Sequence, residues 1–218
     1  MTARLAMTLG MDRVQDYARR FGLNEDLPAL LSMSLGAGET TLLRLTAAYG
    51  MLVNGGRKIT PSLIDRIQDR NGKTIFRHDK RVCDACLAPQ GWTSQPIPKL
   101  PDSREQLTDP ASAFQMVSML EGVVKRGTGK SIEKLGLVVA GKTGTTNDNT
   151  NGWFIGFTPD LAVGVFVGFD TPRPLGKRET GSTVAVPIFL HQSLIPQFHG
   201  APRSTFQQCA FGQCLPFL

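Results

Sequence analysis

Two long stretches of the chain repeat apolar residues at three-to-four spacing and several short ones alternate, and this pattern predicts the skeleton. From Thr41, "LLRLTAAYGMLVNGG" sets Leu42, Leu45, Ala48 or Tyr49, and Leu52 on one helical face, with Thr40 or Thr41 as N-cap and Gly55-Gly56 as the exit. Asp109 and Pro110 open a second helix, because Asp caps and Pro is favoured in the first turn. Its stripe is Phe114, Val117, Leu120 or Glu121, and Val124, and it stops at Gly127-Thr128-Gly129. Residues 1 to 22 read as helix interrupted near Gly10, with Asp12 capping the second half and Gly22 ending it. In "SLIDRIQDRNGKTIFRH" β-branched residues flank Asp69, Arg70, Asn71 and Gly72, which predicts a β-hairpin. "LVVAGKTGTT", "GWFIGFTP" and "LAVGVFVGFD" read as three strands of an antiparallel meander, joined by "NDNTN" and by Pro159-Asp160, and "GSTVAVPIFLHQSLI" reads as a last helix kinked or started at Pro187. The expected class is α+β, an antiparallel sheet flanked by helices.

Between these elements, residues 79–108 are rich in Pro and polar residues and read as a surface excursion, and 199–218 read as a tail. The excursion holds Cys83 and Cys86, and the tail holds Cys209 and Cys214. Two local disulfides, free thiols or one zinc site all remain open. Disulfides need an oxidising compartment, and the second pair is spaced too widely for a usual zinc knuckle. Composition adds little to this picture, since 218 residues at 41% hydrophobic and 19% charged are ordinary for a globular chain. The net charge of +6 is scattered, without the basic stripe that nucleic-acid binding needs. The cleanest apolar run, Leu161 to Phe169, is nine residues long, well short of the roughly 20 of a membrane-spanning helix. "MTARLAMTLGMDRV" lacks the features of a signal peptide.

Three motifs carry candidate chemistry. "RGTGKS", Arg126 to Ser131, imitates the end of a phosphate-binding loop, but the required first glycine falls on Val124 and a helix precedes it instead of a strand. Ser131-Ile132-Glu133-Lys134 is the one S-x-x-K in the sequence. It lies too close to the following strand to face it from a separate helix, so it reads as a helix cap with a solvated Lys. The third motif is Lys142-Thr143-Gly144-Thr145-Thr146, at the end of a strand that turns back at once. There Lys142 supplies positive potential and Thr143 and Thr145 supply hydroxyls for a carboxylate. Gly144 leaves room for a substrate backbone, and the Thr145 N–H is available to a developing oxyanion.

The stretch "VAGKTGTTNDNTNGWFIGFTPDLAVGVFVGFD" resembles the third active-site motif and following strands of penicillin-binding transpeptidases, especially the bifunctional class A enzymes. "EGVVKRGTGK", "LGAGETTLLRLTAAYGMLVNGG", "TPSLIDRIQDRNGKTIF" and "MTARLAMTLGMDRVQDYARRFGL" resemble the same family in the same order. The resemblance implies a serine enzyme that acylates itself with the D-Ala-D-Ala end of a peptidoglycan stem peptide and passes the acyl group to an amine. β-Lactams compete for that serine, no cofactor or metal is involved, and the work is done at the periplasmic face of the inner membrane. It also implies that residues 1–198 are the C-terminal part of a transpeptidase domain. Lys142, Thr143, Gly144 and Thr145 would be its catalytic wall, and Lys142, Thr143, Thr145 and Thr146 its substrate contacts. The family's other motifs, a nucleophilic S-x-x-K and an S-x-N, are missing: no Ser here begins S-x-N, and in the family "MTARLAMTLGM" follows it almost directly. The expectation is therefore a truncated or split chain, inactive alone, whose partner is the upstream part of the same polypeptide. A non-catalytic module that binds peptidoglycan or a partner protein is the alternative.

Overall fold

In the computed structural model, residues 1–81 and 102–193 are described. All four cysteines and the 199–218 tail lie outside them, as does most of the 79–108 excursion. Helices α1 (Thr2–Leu9) and α2 (Met11–Arg20) meet at Gly10, which closes the first and caps the second, so Asp12 sits in the first turn of α2 instead of capping it. Helix α3 (Leu42–Val53) starts where Thr41 Oγ1 accepts from the Arg44 N–H at 3.2 Å. The hairpin β1 (Arg66–Gln68) and β2 (Thr74–Arg77) follows, antiparallel with an irregularity at Ile67/Gln68.

The last residues of the excursion are bound back to the body. Glu105 O accepts from the Lys58 N–H at 2.9 Å, Leu107 N–H donates to Gly56 O at 2.8 Å, and the Leu107 side chain is buried with Phe21, Ala48 and Met51. This strip feeds α4 (Pro110–Arg126), whose start is capped by Asp109 Oδ2 accepting from the Ser112 N–H at 3.0 Å. The buried stripe of α4 is Ala113, Val117, Leu120 and Val124; Phe114, expected there, is half-buried beside it.

Strands β3 (Ala140–Thr145), β4 (Asn151–Phe157) and β5 (Ala162–Gly168) form the expected meander, in the order β3-β4-β5. Side chains alternate between two faces, each packed against helices. On one, Ala140 and Phe157 pack against Val117 and Leu120 of α4, with Tyr49, Leu52 and Val53 of α3 around them. On the other, Phe154 and Val165 pack with Val124, Ile132, Val139 and the C-terminal helix α5 (Val186–Ser193) through Val186 and Phe189. Pro187 is the second residue of α5, which continues from a wider π-type turn at Gly181–Ala185. Phe154 and Phe189 meet edge to face with ring centres 4.9 Å apart.

Candidate active site

Every residue of the three sheet strands is uncharged except Lys142. A cation in so apolar a sheet needs an exit to solvent, and the strand edge provides one. Among the described residues β3 pairs only with β4. The Thr146 N–H donates to Asn151 O at 3.2 Å, which marks Thr146/Asn151 as a hydrogen-bonded pair. Alternation along the ladder then aims the N–H and C=O of Thr143 and Thr145 away from β4, at the open edge. The Lys142 ammonium curls to that edge and donates to Thr143 O at 2.7 Å, while Lys142 stays exposed.

The two threonine hydroxyls lie on the α5 side of the sheet and are both held from behind. Thr145 Oγ1 accepts from the Gly181 N–H at 3.1 Å. Because that N–H can only donate, the Thr145 hydroxyl keeps its own proton for another acceptor. Thr143 Oγ1 lies 2.7 Å from Thr128 Oγ1, and Thr143 is 9% exposed. Gly181 can approach so closely because it has no side chain: a Cβ there would fall 2.4 Å from Trp153 O and 2.5 Å from Gly144 O. The Ser182 hydroxyl donates to Thr128 O at 3.1 Å, joining the turn before α5 to the loop after α4.

The structure brings Lys142, Thr143 and Thr145 together as one edge. Gly144 lies across from Trp153, and a Cβ on it would be 3.2 Å from the Trp153 Cβ, so its smallness serves cross-strand packing. Thr146 turns its hydroxyl into the β3–β4 connection instead, within 2.7 Å of Thr150 Oγ1 and accepting from the Asn151 N–H at 2.9 Å. Ser131 and Lys134 are exposed on a short 3-10 turn, Lys130–Leu135, whose Ile132 is buried in the core. Gly129, not Ser131, caps that turn. Sequence reasoning missed Thr128, Gly181 and Ser182. Thr128 sits inside the rejected "RGTGKS", and its contact with Thr143 has no periodic signature. No cluster of His, Cys, Asp and Glu suited to a metal occurs among the described residues, and no described helix is long and apolar enough to cross a membrane.

The edge can hold an anion between two hydroxyls and a cation, and can present a strand N–H to it. Comparison with known proteins identifies the family and the fold. A family model described as the penicillin-binding protein transpeptidase domain matches residues 1–192. Penicillin-binding protein 1A of Rickettsia bellii is 48% identical over 191 residues, which are 87% of this chain and 24% of that protein. Penicillin-binding protein 1A of Neisseria gonorrhoeae is 38% identical over 192 residues, 87% of this chain and 22% of that one. The chain thus spans about a quarter of the length of these relatives. Among solved structures, penicillin-binding protein 1A from Haemophilus influenzae superposes with a TM-score of 0.76 at 26% identity, covering 99% of this chain and 34% of that one. PonA1 from Mycobacterium tuberculosis shares the fold, with a TM-score of 0.69 at 23% identity over 94% of this chain and 55% of its own.

Proposed function

Because the chain belongs to the penicillin-binding-protein transpeptidase family, we propose that its β3 edge is the substrate-holding wall of a D,D-transpeptidase that cross-links peptidoglycan stem peptides. The observation that carries this reading is the edge itself: Lys142 Nζ folded onto Thr143 O, with the hydroxyls of Thr143 and Thr145 held from behind by Thr128 and Gly181. In the proposed reaction a serine from the upstream part of the polypeptide attacks the carbonyl between the two terminal D-alanines. The C–N bond breaks, D-alanine leaves with a proton, and the acyl group passes to an amine of a neighbouring strand, regenerating the serine.

The wall's part is positional and electrostatic. Thr145 hydroxyl, with its proton uncommitted, donates to the terminal carboxylate alongside Thr143, and Lys142 adds positive potential. The Thr145 N–H at the open edge meets the carbonyl oxygen as negative charge develops, one donor of the oxyanion hole. A β-lactam offers a carboxylate and an acylating carbonyl in the same relation, so it occupies the same wall. Such chemistry takes place on the periplasmic face of the inner membrane, in a longer polypeptide.

The 218-residue chain alone is inactive in this reading, because its one S-x-x-K sits on an exposed turn and no S-x-N occurs in the sequence. A fluorescent penicillin separates the alternatives. No denaturation-resistant label is expected on the chain by itself, and a label is expected on the in-frame polypeptide that includes the upstream coding sequence. A stable adduct mapped to Ser131 would sink the assignment of the nucleophile. An upstream sequence without S-x-x-K and S-x-N would favour a non-catalytic peptidoglycan-binding module.

A further inference from the structure

We propose that Thr128 is a positioning residue for the transpeptidase site: its hydroxyl donates to Thr143 Oγ1 and thereby commits the Thr143 proton to the substrate carboxylate. The proposal rests on the β3 edge being that site. Two neighbouring hydroxyls at this edge differ in what their partners leave free. Thr145 accepts from a backbone N–H, which has one possible direction, so its own proton is free for ligand. Thr143 is paired with another hydroxyl at 2.7 Å, and a hydroxyl has one proton and can act either way. If Thr143 donated to Thr128, it would have nothing to offer a carboxylate. If Thr128 donates, the chain Thr128 to Thr143 to carboxylate runs one way, and each hydrogen bond polarises the next.

The loop that carries Thr128 is built to hold it there. Val123 O accepts from the N–H of Gly127 at 3.0 Å and of Gly129 at 3.1 Å, closing α4 directly around Thr128. A Cβ on Gly127 would lie 2.9 Å from that same oxygen, so the glycine is required by the close approach. On its other side the Thr128 carbonyl accepts from the Ser182 hydroxyl. These bonds close the C-terminus of α4 and so fix the backbone from which the Thr128 hydroxyl reaches Thr143. Thr143, in contrast, is 9% exposed, and the Thr128 hydroxyl occupies one side of its Oγ1.

The test uses the polypeptide that includes the upstream sequence, and compares acylation rates with benzylpenicillin and with its methyl ester, which lacks the carboxylate. In Thr128→Val the preference for the acid over the ester should fall roughly 3- to 10-fold, since a charge-assisted bond loses its cooperative donor. Thr128→Ser keeps the hydroxyl and should keep the preference. Thr128→Ala removes the donor without adding bulk and replaces the valine variant if that fails to fold. Equal loss with acid and ester, or a serine variant as impaired as the valine one, overturns the proposal. So does an unchanged preference in Thr128→Val while wild type is labelled, which leaves the site itself standing. A wild-type polypeptide that takes no penicillin at all sinks the functional reading together with this one.

Discussion

The two β-structures of this chain are held by different forces. In the β3–β5 sheet helices lie against both faces and Phe154 and Phe157 are fully buried between them, with exposure confined largely to β5, where Phe166 is 44% exposed. In the β1–β2 hairpin every strand residue is exposed, with Ile75 at 64% and Phe76 at 42%. The hairpin is therefore made by its turn. Asp69 Oδ1 accepts from the N–H groups of Asn71 and Lys73, and Gly72 sits at a φ of 80° between them. Tertiary burial positions the strand that carries the candidate site, whereas local hydrogen bonding shapes the hairpin.

The largest effect that would test this contrast comes from one substitution in each region. Phe154→Ala empties a fully buried site under Phe189 and should cost about 3–5 kcal/mol, lowering the urea midpoint of unfolding. Ile75→Ala in the hairpin should stay within about 0.5 kcal/mol, because little surface is removed from water there. Comparable losses at the two positions would break the distinction.

That division also explains what could be read in the sequence. The hairpin was legible because Asp69, Asn71 and Gly72 specify a turn by local chemistry, and so were the Thr41 and Asp109 caps. The meander was legible from alternation and from the turns between its strands. Asp12 misled because the helix break is capped by Gly10, whose backbone conformation leaves no sign in a polar pattern. At the candidate site, Lys142, Thr143 and Thr145 stood out through their motif, whereas Thr128 and Gly181 reach it by tertiary contacts 15 and 36 residues away along the chain. Such contacts depend on α4 and α5 arriving at the same sheet edge, which no local window encodes.

A smaller effect sharpens the comparison from the hairpin side. Nothing lies within 4 Å of a Cβ placed on Gly72, so Gly72→Ala meets no clash and pays only for left-handed backbone, about 1 kcal/mol. Because the hairpin packs so little against the body, the loss should appear as faster amide exchange in 66–77, with β4 exchange unchanged. Equal acceleration in β4 would mean that the two structures unfold as one.

Acid should separate the regions by an energy comparable to that of the Gly72 change. The sheet strands contain no carboxylate, whereas the strip that returns from the excursion to α4 is fastened by Asp102. Its carboxylate accepts from Arg104 Nε at 2.8 Å and Nη2 at 2.7 Å, and Arg57 Nε lies 3.7 Å away. These bonds, those from the Arg104 side chain foremost, lower the Asp102 pKa to about 2. An unfolded aspartate titrates at about 3.9, so the folded group is the stronger acid, and the stability it contributes is complete above about pH 4 and lost as pH falls toward 2. With the side chain 17% exposed, solvent screening leaves about 1–2 kcal/mol at most. Asp79, lowered to about 2 chiefly by its hydrogen bonds from Arg81, is 42% exposed and adds less. Between pH 4 and 2 the amides of Leu107 and Lys58, which bond across this strip, should therefore lose protection before those of β4. Asp102→Asn should flatten that dependence by removing the titrating group. If β4 loosens in step with the strip, the strip and the sheet belong to one cooperative unit, and the contrast between locally and tertiarily held regions ends at the hairpin.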